Sequence, residues 1–237
     1  MYTKLSNILN DISNVLVPRV CFGCNTHLLG GEHILCTLCR NDLPLTNYNF
    51  NVENPVDRIF YGRINIIKAN SFLFFVENGV VQQLLHHLKY KNQEKVGDFI
   101  GDWFGQLIKE QGFIDKIDLV IPVPLHSKKL RQRGYNQLTR FGLRLSEHLG
   151  AEFREDILLK TSNSRTQSKK GRIGRWFENK SLFDITKSSL IEGKNILLID
   201  DIITTGATIE MCAKALHKCQ NIKIFVASMA VVPLVYK

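Results

Sequence analysis

The sequence predicts an α/β fold, a doubly wound and mostly parallel sheet preceded by a small four-cysteine module. Three observations predict it. From about Ile64 onward, strand-type and helix-type patterns alternate, which calls for parallel crossovers. The strand-type runs include stretches that are apolar at every position, such as Ile-Leu-Leu-Ile at 196–199, as strands covered on both faces require. Cys21, Cys24, Cys36 and Cys39 stand in two Cys-x2-Cys pairs before that alternation begins. With 237 residues, 44% hydrophobic and 22% charged, the chain suffices for one domain with a sizeable core plus an accessory module, and wholesale disorder is excluded.

In chain order, Leu5, Ile8, Leu9, Ile12, Val15 and Leu16 recur at helical spacing and predict an amphipathic helix stopped by Pro18. The two cysteine pairs follow, separated by eleven residues, a spacing that fits a closed tetrahedral Zn2+ site. Gly23, Gly30 and Gly31 allow the necessary turns, and a module this small cannot hold itself together by apolar burial alone. Residues 1–20 do not read as a secretory leader, so the expected compartment is the reducing cytoplasm, where paired cysteines favour metal over disulfides. The polar run 41–57 reads as connecting loop, dividing the chain into residues 1–57 (helix, zinc module and linker) and 58–237 (the α/β domain).

Within that domain the patterns predict a strand over 69–76, helices over 79–91 and 95–111, and a strand over 118–123. A helix over 132–149, a short strand over 157–160 and a strand over 195–199 come next, then a helix over 207–219 and a strand over 223–231. Cys212 and Cys219 share a helix face with Ile209 and Leu216 and read as core thiols. The most apolar stretch, 224–236, is broken by Pro233 and is too short to span a bilayer, so no membrane span is expected.

Asp200 and Asp201 follow the apolar run 196–199, at the strand end where open α/β sheets bind ligands. The turn after them, Thr204, Thr205, Gly206, Ala207 and Thr208, has the small and hydroxylated side chains that let backbone amides face a phosphate at a helix N-terminus. Ordinary helix capping accounts for one such residue, not for two acids and five turn residues together. No lysine follows the glycine, so this is not an ATP-type P-loop. Residues 196–208 resemble the phosphoribosyl pyrophosphate motif of type I phosphoribosyltransferases. The resemblance implies that Asp200 and Asp201, the catalytic pair, hold the ribose hydroxyls, and that Thr204 to Thr208 cradle the 5′-phosphate of a Mg2+-bound phosphoribosyl pyrophosphate.

In that fold a loop one strand and helix upstream contacts the pyrophosphate. The segment placed this way contains Pro124, Leu125, His126 and Ser127, with Lys128, Lys129, Arg131 and Arg133 offering charge-assisted contacts to a diphosphate. Nearly the whole chain resembles the ComF family of competence-associated proteins. The four cysteines, Lys89-Tyr90 after an apolar helix, the stretch from Pro122 to Gln137, Gln167 in a basic loop and the turn at 200–208 carry that resemblance. The family usually has arginine where Lys129 stands and an Arg-x-x-Asn spacing where Arg175 is followed one residue later than that by Asn179.

The formal net charge is +9, and residues 125–180 hold fourteen basic against five acidic side chains, so the whole excess lies there. The basic loop 162–180, with Lys169, Lys170, Arg172 and Arg175, stands where type I transferases carry a lid. Two functions are expected from this. One is a phosphoribosyltransferase whose acceptor cannot be read. The other is a non-catalytic competence factor that binds single-stranded DNA through the basic segment, with Trp176 and Phe177 among residues able to stack on bases, and uses the phosphoribosyl site as a sensor. The resemblance implies DNA uptake and natural transformation, with a helicase of the uptake machinery as partner.

Overall fold

The computed structural model describes residues 19–112, 116–161 and 182–233. The N-terminal helix expected up to Pro18 and the basic loop with Lys169, Lys170, Arg172 and Arg175 lie outside them. Strands β1 (Lys68–Phe74), β2 (Leu119–Pro122), β3 (Glu152–Phe153), β6 (Asn195–Ile203) and β7 (Lys223–Val231) form one sheet in the order β1-β7-β6-β2-β3. Every pairing in it is parallel. Strands β4 (Leu158–Lys160) and β5 (Phe183–Ile185) form a separate antiparallel pair flanking the segment 162–181. The helices are α1 (Thr37–Asn41), α2 (Pro55–Arg58), α3 (Val80–Tyr90), α4 (Lys95–Glu110), α5 (Ser127–Arg133), α6 (Thr139–Leu149) and α7 (Ala207–Leu216). This is the expected doubly wound architecture, and β6 and β7, at the middle of the sheet, are buried almost end to end because helices cover both faces.

Three elements differ from expectation in ways that matter for the site. Strand β6 continues four residues past Ile199, because its register with β7 persists through Asp200 opposite Ser228, Ile202 opposite Ala230 and Ile203 opposite Val231. The acid pair is therefore inside a paired strand instead of beyond its end. The helix expected over 132–149 is two helices: Gly134, at φ 84°, ends α5 in a left-handed cap, and Asn136 then caps the backbone of Leu138 at 3.1 Å. Helix α5 itself begins at Ser127, five residues before the expected start, with His126 Nδ1 accepting from the Lys128 amide at 3.2 Å. Its seven residues have no buried face, so apolar periodicity could not report it. Strands β3 and β5 are two and three residues long, too short for a periodicity signal, and α7 stops at Leu216 short of Cys219.

The polar run 41–57 lies along β1. The Thr46 amide donates to the Phe72 carbonyl at 3.0 Å and the Phe74 amide to Pro44 at 2.8 Å, so part of the run occupies the edge of β1. Asn54 and Asp57 complete a capping box at α2, and Asp57 also accepts from the Ala69 amide at 2.6 Å.

Helix α4 approaches α6 through Gly97, Gly101 and Gly105, spaced four apart on one face. A methyl at Gly101 would sit 2.8 Å from Arg144 Cβ and 2.9 Å from the Phe141 carbonyl oxygen; at Gly105 it would sit 2.6 Å from the His148 ring. Such contacts allow no side chain, so these glycines set the helix spacing and, through α6, the height of the segment just before it. That segment carries Gln137 to the acid pair. Among the described residues no helix is long and apolar enough to cross a membrane.

Candidate functional site

Strand β6 delivers two consecutive carboxylates to the sheet's C-terminal edge, and alternation would send them to opposite faces. Both remain buried, Asp200 at 9% and Asp201 at 8% exposure. Asp201 Oδ2 accepts from Lys89 Nζ at 2.8 Å and from Gln137 Nε2 at 2.9 Å. Asp200 Oδ1 accepts from the Asp201 amide at 2.8 Å. Burial, reinforced by the negative charge of Asp201, pushes the Asp200 carboxyl well above the usual carboxylate range, while Lys89 and Lys160 pull the other way. The two acids are thus differently equipped: Asp201 has a bonded cation and an amide donor, and Asp200 has the carboxyl that burial raises.

The strand then turns through Thr204, Thr205, Gly206, Ala207 and Thr208 into α7. Gly206 adopts φ 72°, a left-handed conformation that suits glycine, and it is pinned from below: a Cβ there would lie 2.7 Å from the Phe60 ring and 2.8 Å from Ile59. Arg63, in the turn after α2, donates to the Thr205 carbonyl at 2.5 Å and bonds Glu210 in the first turn of α7 at 2.6 Å. The turn is held in shape from the 59–63 segment while Thr204, Thr205 and Ala207 stay exposed around a small hollow of about 40 Å3 that Asp200 also lines. A short turn of exposed amides and hydroxyls opening a helix has the chemistry of an anion cradle.

The segment expected to meet pyrophosphate is only partly a loop. Pro124, Leu125 and His126 form the turn after β2, and Ser127 to Arg133 are helical. Arg133 donates to the Gln137 side-chain carbonyl, and Gln137 in turn donates to Asp201, so a continuous chain of polar contacts links Arg133, Gln137, Asp201 and Lys89. The Tyr135 hydroxyl donates to the Leu88 carbonyl, tying this turn to the end of α3. Lys89, Gln137 and Arg63 escaped the sequence reading as site residues. Lys89-Tyr90 and Gln137, the end of the stretch from Pro122, were visible only as family traits, and nothing local distinguishes Arg63 from surface polar residues.

Cys21, Cys24, Cys36 and Cys39 bring their sulfurs within 4.8 Å of one another, a group of thiols that could hold a metal ion. The 3.7 Å between Cys24 and Cys36 sulfurs compares with about 3.8 Å for tetrahedral ligands at the usual Zn–S length of roughly 2.3 Å. Hydrogen bonding to the Thr26 hydroxyl and backbone lowers the Cys24 thiol to about 6, whereas burial and hydrogen bonds to the other three cysteines push the Cys39 thiol well up, so without a cation the four sulfurs do not all ionise. The donor set therefore fits zinc. Cys212 is fully buried and its thiol is pushed up by burial and by Asp200, as a core thiol should be; Cys219 is half-buried.

Residues 87–230 match the model of the phosphoribosyl transferase domain family. Competence protein ComFC of Bacillus subtilis (strain 168) is 28% identical over 199 residues, covering 84% of this chain and 78% of that protein. Competence protein F of Haemophilus influenzae is 26% identical over 57% of this chain and 61% of its own length, and DNA utilization protein YhgH of Salmonella typhimurium 23% over 56% and 59%. Among solved structures, glutamine phosphoribosylpyrophosphate amidotransferase from B. subtilis complexed with ADP and GMP aligns with a TM-score of 0.43 at 16% identity, over 61% of this chain and 30% of that one. The chain belongs to the phosphoribosyl transferase domain family, as a ComF-type, phosphoribosyltransferase-like member with a four-cysteine cluster near its N-terminus.

Proposed function

We propose that the chain binds phosphoribosyl pyrophosphate at the end of β6 and acts in the handling of incoming DNA, as the names of its relatives suggest. The observation that carries the first part is the direct succession of a buried carboxylate pair, Asp200 and Asp201, and a braced turn, Thr204 to Thr208, at the start of α7. The pair meets the ribose hydroxyls and the turn meets the 5′-phosphate. Pro124 to Lys129, Arg131 and Arg133 face the pyrophosphate.

In transfer, the C1′–oxygen bond breaks, pyrophosphate leaves with the electron pair, and a nitrogen nucleophile supplies the new bond at C1′. Asp200 and Asp201 hold the sugar, and the negative charge of Asp201 favours positive charge growing on the ring, while the basic side chains receive charge on the leaving group. Magnesium, for which the two carboxylates are suitable oxygen donors, would neutralise the diphosphate. Zinc on the four cysteines has a structural role. Titration calorimetry with Mg2+ and phosphoribosyl pyrophosphate tests the site: the native chain binds and the Asp200→Asn, Asp201→Asn double variant does not. Equal affinity in both would end the assignment.

The basic excess at 125–180 supports a second reading, direct binding of single-stranded DNA, with an uptake helicase as partner. Neutralising Lys169, Lys170, Arg172 and Arg175 then weakens binding of a labelled oligonucleotide and flattens its salt dependence. An unchanged slope would place the DNA site elsewhere.

A further inference from the structure

The N-terminal ends of β2 and β6 border a hollow that the acid pair does not reach. Lys116 stands just before β2 and Lys194 just before β6, and the two strand starts are bonded to each other. The Asn195 side chain donates to the Lys116 carbonyl at 2.6 Å, the Asn195 amide to the Asp118 carboxylate at 2.9 Å, and the Asp118 amide to the Asn195 carbonyl at 2.9 Å. Both lysines line a hollow of about 250 Å3 with Asp118, Glu152, Arg154 and Leu190. Along β6 the extended chain from Lys194 to Asp200 covers roughly 20 Å, so the hollow lies at the opposite end of the sheet from the acid pair.

Its lining sorts by charge. Arg154 is already met by two carboxylates, Asp156 at 2.8 and 2.9 Å and Glu152 at 3.0 Å, and Asp118 is engaged by the Asn195 amide. Lys116 and Lys194 are exposed and have no carboxylate partner among the described residues, so the two free charges of the hollow are both positive. The C-terminal end of α6 at Gly150 works against an anion here, but the Ser146 carbonyl at that end is taken by the Ala151 amide at 3.0 Å. Ile117, Leu119 and the 42% exposed Leu190 make the rest of the wall apolar.

We propose that this hollow binds a small organic dianion, a short carbon body carrying a phosphate monoester or two carboxylates. The negative groups meet Lys116 and Lys194, and the carbon body covers Leu190. A monoanion would leave one lysine unmet, so the hollow selects by charge. Its volume falls below the roughly 300–1,000 Å3 of most small-molecule sites, which suits a ligand of a few carbons and is too small for a nucleotide. The proposal does not rest on the phosphoribosyl reading.

Calorimetric titration of the full chain at low salt tests it with glycerol 3-phosphate and succinate, set against glycerol and acetate. At least one dianion binds about tenfold or more tighter than the controls, and the preferred one tells phosphate from carboxylate. Lys116→Gln and Lys194→Gln each weaken it by about tenfold and leave the thermal midpoint unchanged, because neither lysine has a partner to lose. The proposal is overturned if neither dianion outbinds the controls, or if both lysine variants keep the native affinity. It is equally overturned if Mg2+ and phosphoribosyl pyrophosphate displace the dianion, because the ion then sits at the turn 204–208. Inorganic phosphate that binds as tightly as the preferred dianion would also overturn it, since the apolar wall is then unused. Lysine-dependent dianion binding in a chain unable to bind phosphoribosyl pyrophosphate would sink the earlier site assignment and leave this one standing.

Discussion

Lys89 and Asp201 join the last turn of α3 to the most buried part of the candidate site, at 2.8 Å and with only 20% and 12% of their side chains exposed. The ammonium offsets part of the repulsion between two adjacent carboxylates, and Gln137 also donates to Asp201.

Replacing Lys89 with Met keeps the stem and removes the charge. Stability falls by about 1–3 kcal/mol, because a largely buried carboxylate loses its cation beside another acid. In a chain of this size that lowers the thermal midpoint by about 2–9 °C. Adding Asp201→Asn recovers most of the loss, which a double-mutant cycle in thermal unfolding measures. Additive effects in the cycle would mean the two side chains do not interact.

Asp200 gives the opposite result. Its folded-state carboxyl is raised by burial and by Asp201, so between the ordinary carboxylate range and the raised value the folded chain binds a proton that the unfolded chain does not. Stability from this group is therefore fully present below the ordinary carboxylate range and is lost progressively as pH rises from there through the raised value. Asp200→Asn removes that loss while keeping the acceptor for the Asp201 amide. Its thermal midpoint should exceed the native one by about 2–6 °C at roughly pH 8, with the gap narrowing as pH falls and closing below about pH 4, although ligand binding is lost. A variant less stable than the native chain at the higher pH would refute the raised carboxyl.

The acid pair, the turn at 204–208 and the cysteine cluster were legible as candidate features because each is a local pattern: adjacent carboxylates after an apolar run, five small or hydroxylated residues, and a ligand spacing. Their supports were not. Gln137, Lys89 and Arg63 reach the site from residues 64, 112 and 142 positions distant from their partners Asp201 and Thr205, and only the fold brings them there. Glycines 97, 101 and 105 illustrate the same limit: in sequence they weaken a helix, and their use appears only when α6 lies against them. Helix α5 went unseen because amphipathic periodicity detects a helix by the face it buries, and α5 buries none.

Gly206→Ala tests the bracing of the phosphate turn. The left-handed φ of 72° costs an alanine about 1–2 kcal/mol, and the added methyl would press on Phe60 and Ile59 at 2.7 and 2.8 Å for about 1–3 more. The turn must open to relieve this, so phosphoribosyl pyrophosphate affinity falls more than tenfold with a destabilisation of roughly 2–5 kcal/mol. Thr205→Ala, which keeps the backbone, should leave stability nearly unchanged, and equal destabilisation by both would argue against backbone strain as the cause.

The cysteine module meets the rest of the chain on α3, the helix that carries Lys89. The Phe22 ring stacks on His87 with centroids 4.4 Å apart and planes 11° apart, Lys95 lies 5.2 Å from the same ring, and a side chain at Gly23 would strike Val80 at 2.9 Å. Metal that orders Cys21 and Cys24 therefore also sets the surface on which α3 rests. Purified chain should carry one zinc per molecule by elemental analysis; a content near zero with four free thiols would remove the metal site. Chelation should loosen α3 as well as the module, seen as faster amide exchange across 80–90 and weaker phosphoribosyl pyrophosphate binding. Phe22→Ala separates the metal from the contact: zinc content stays at one, stability drops by about 2–4 kcal/mol, and exchange across 80–90 still accelerates. If exchange there is unaffected by both treatments, the module and α3 fold independently and the stacked ring transmits nothing to the site.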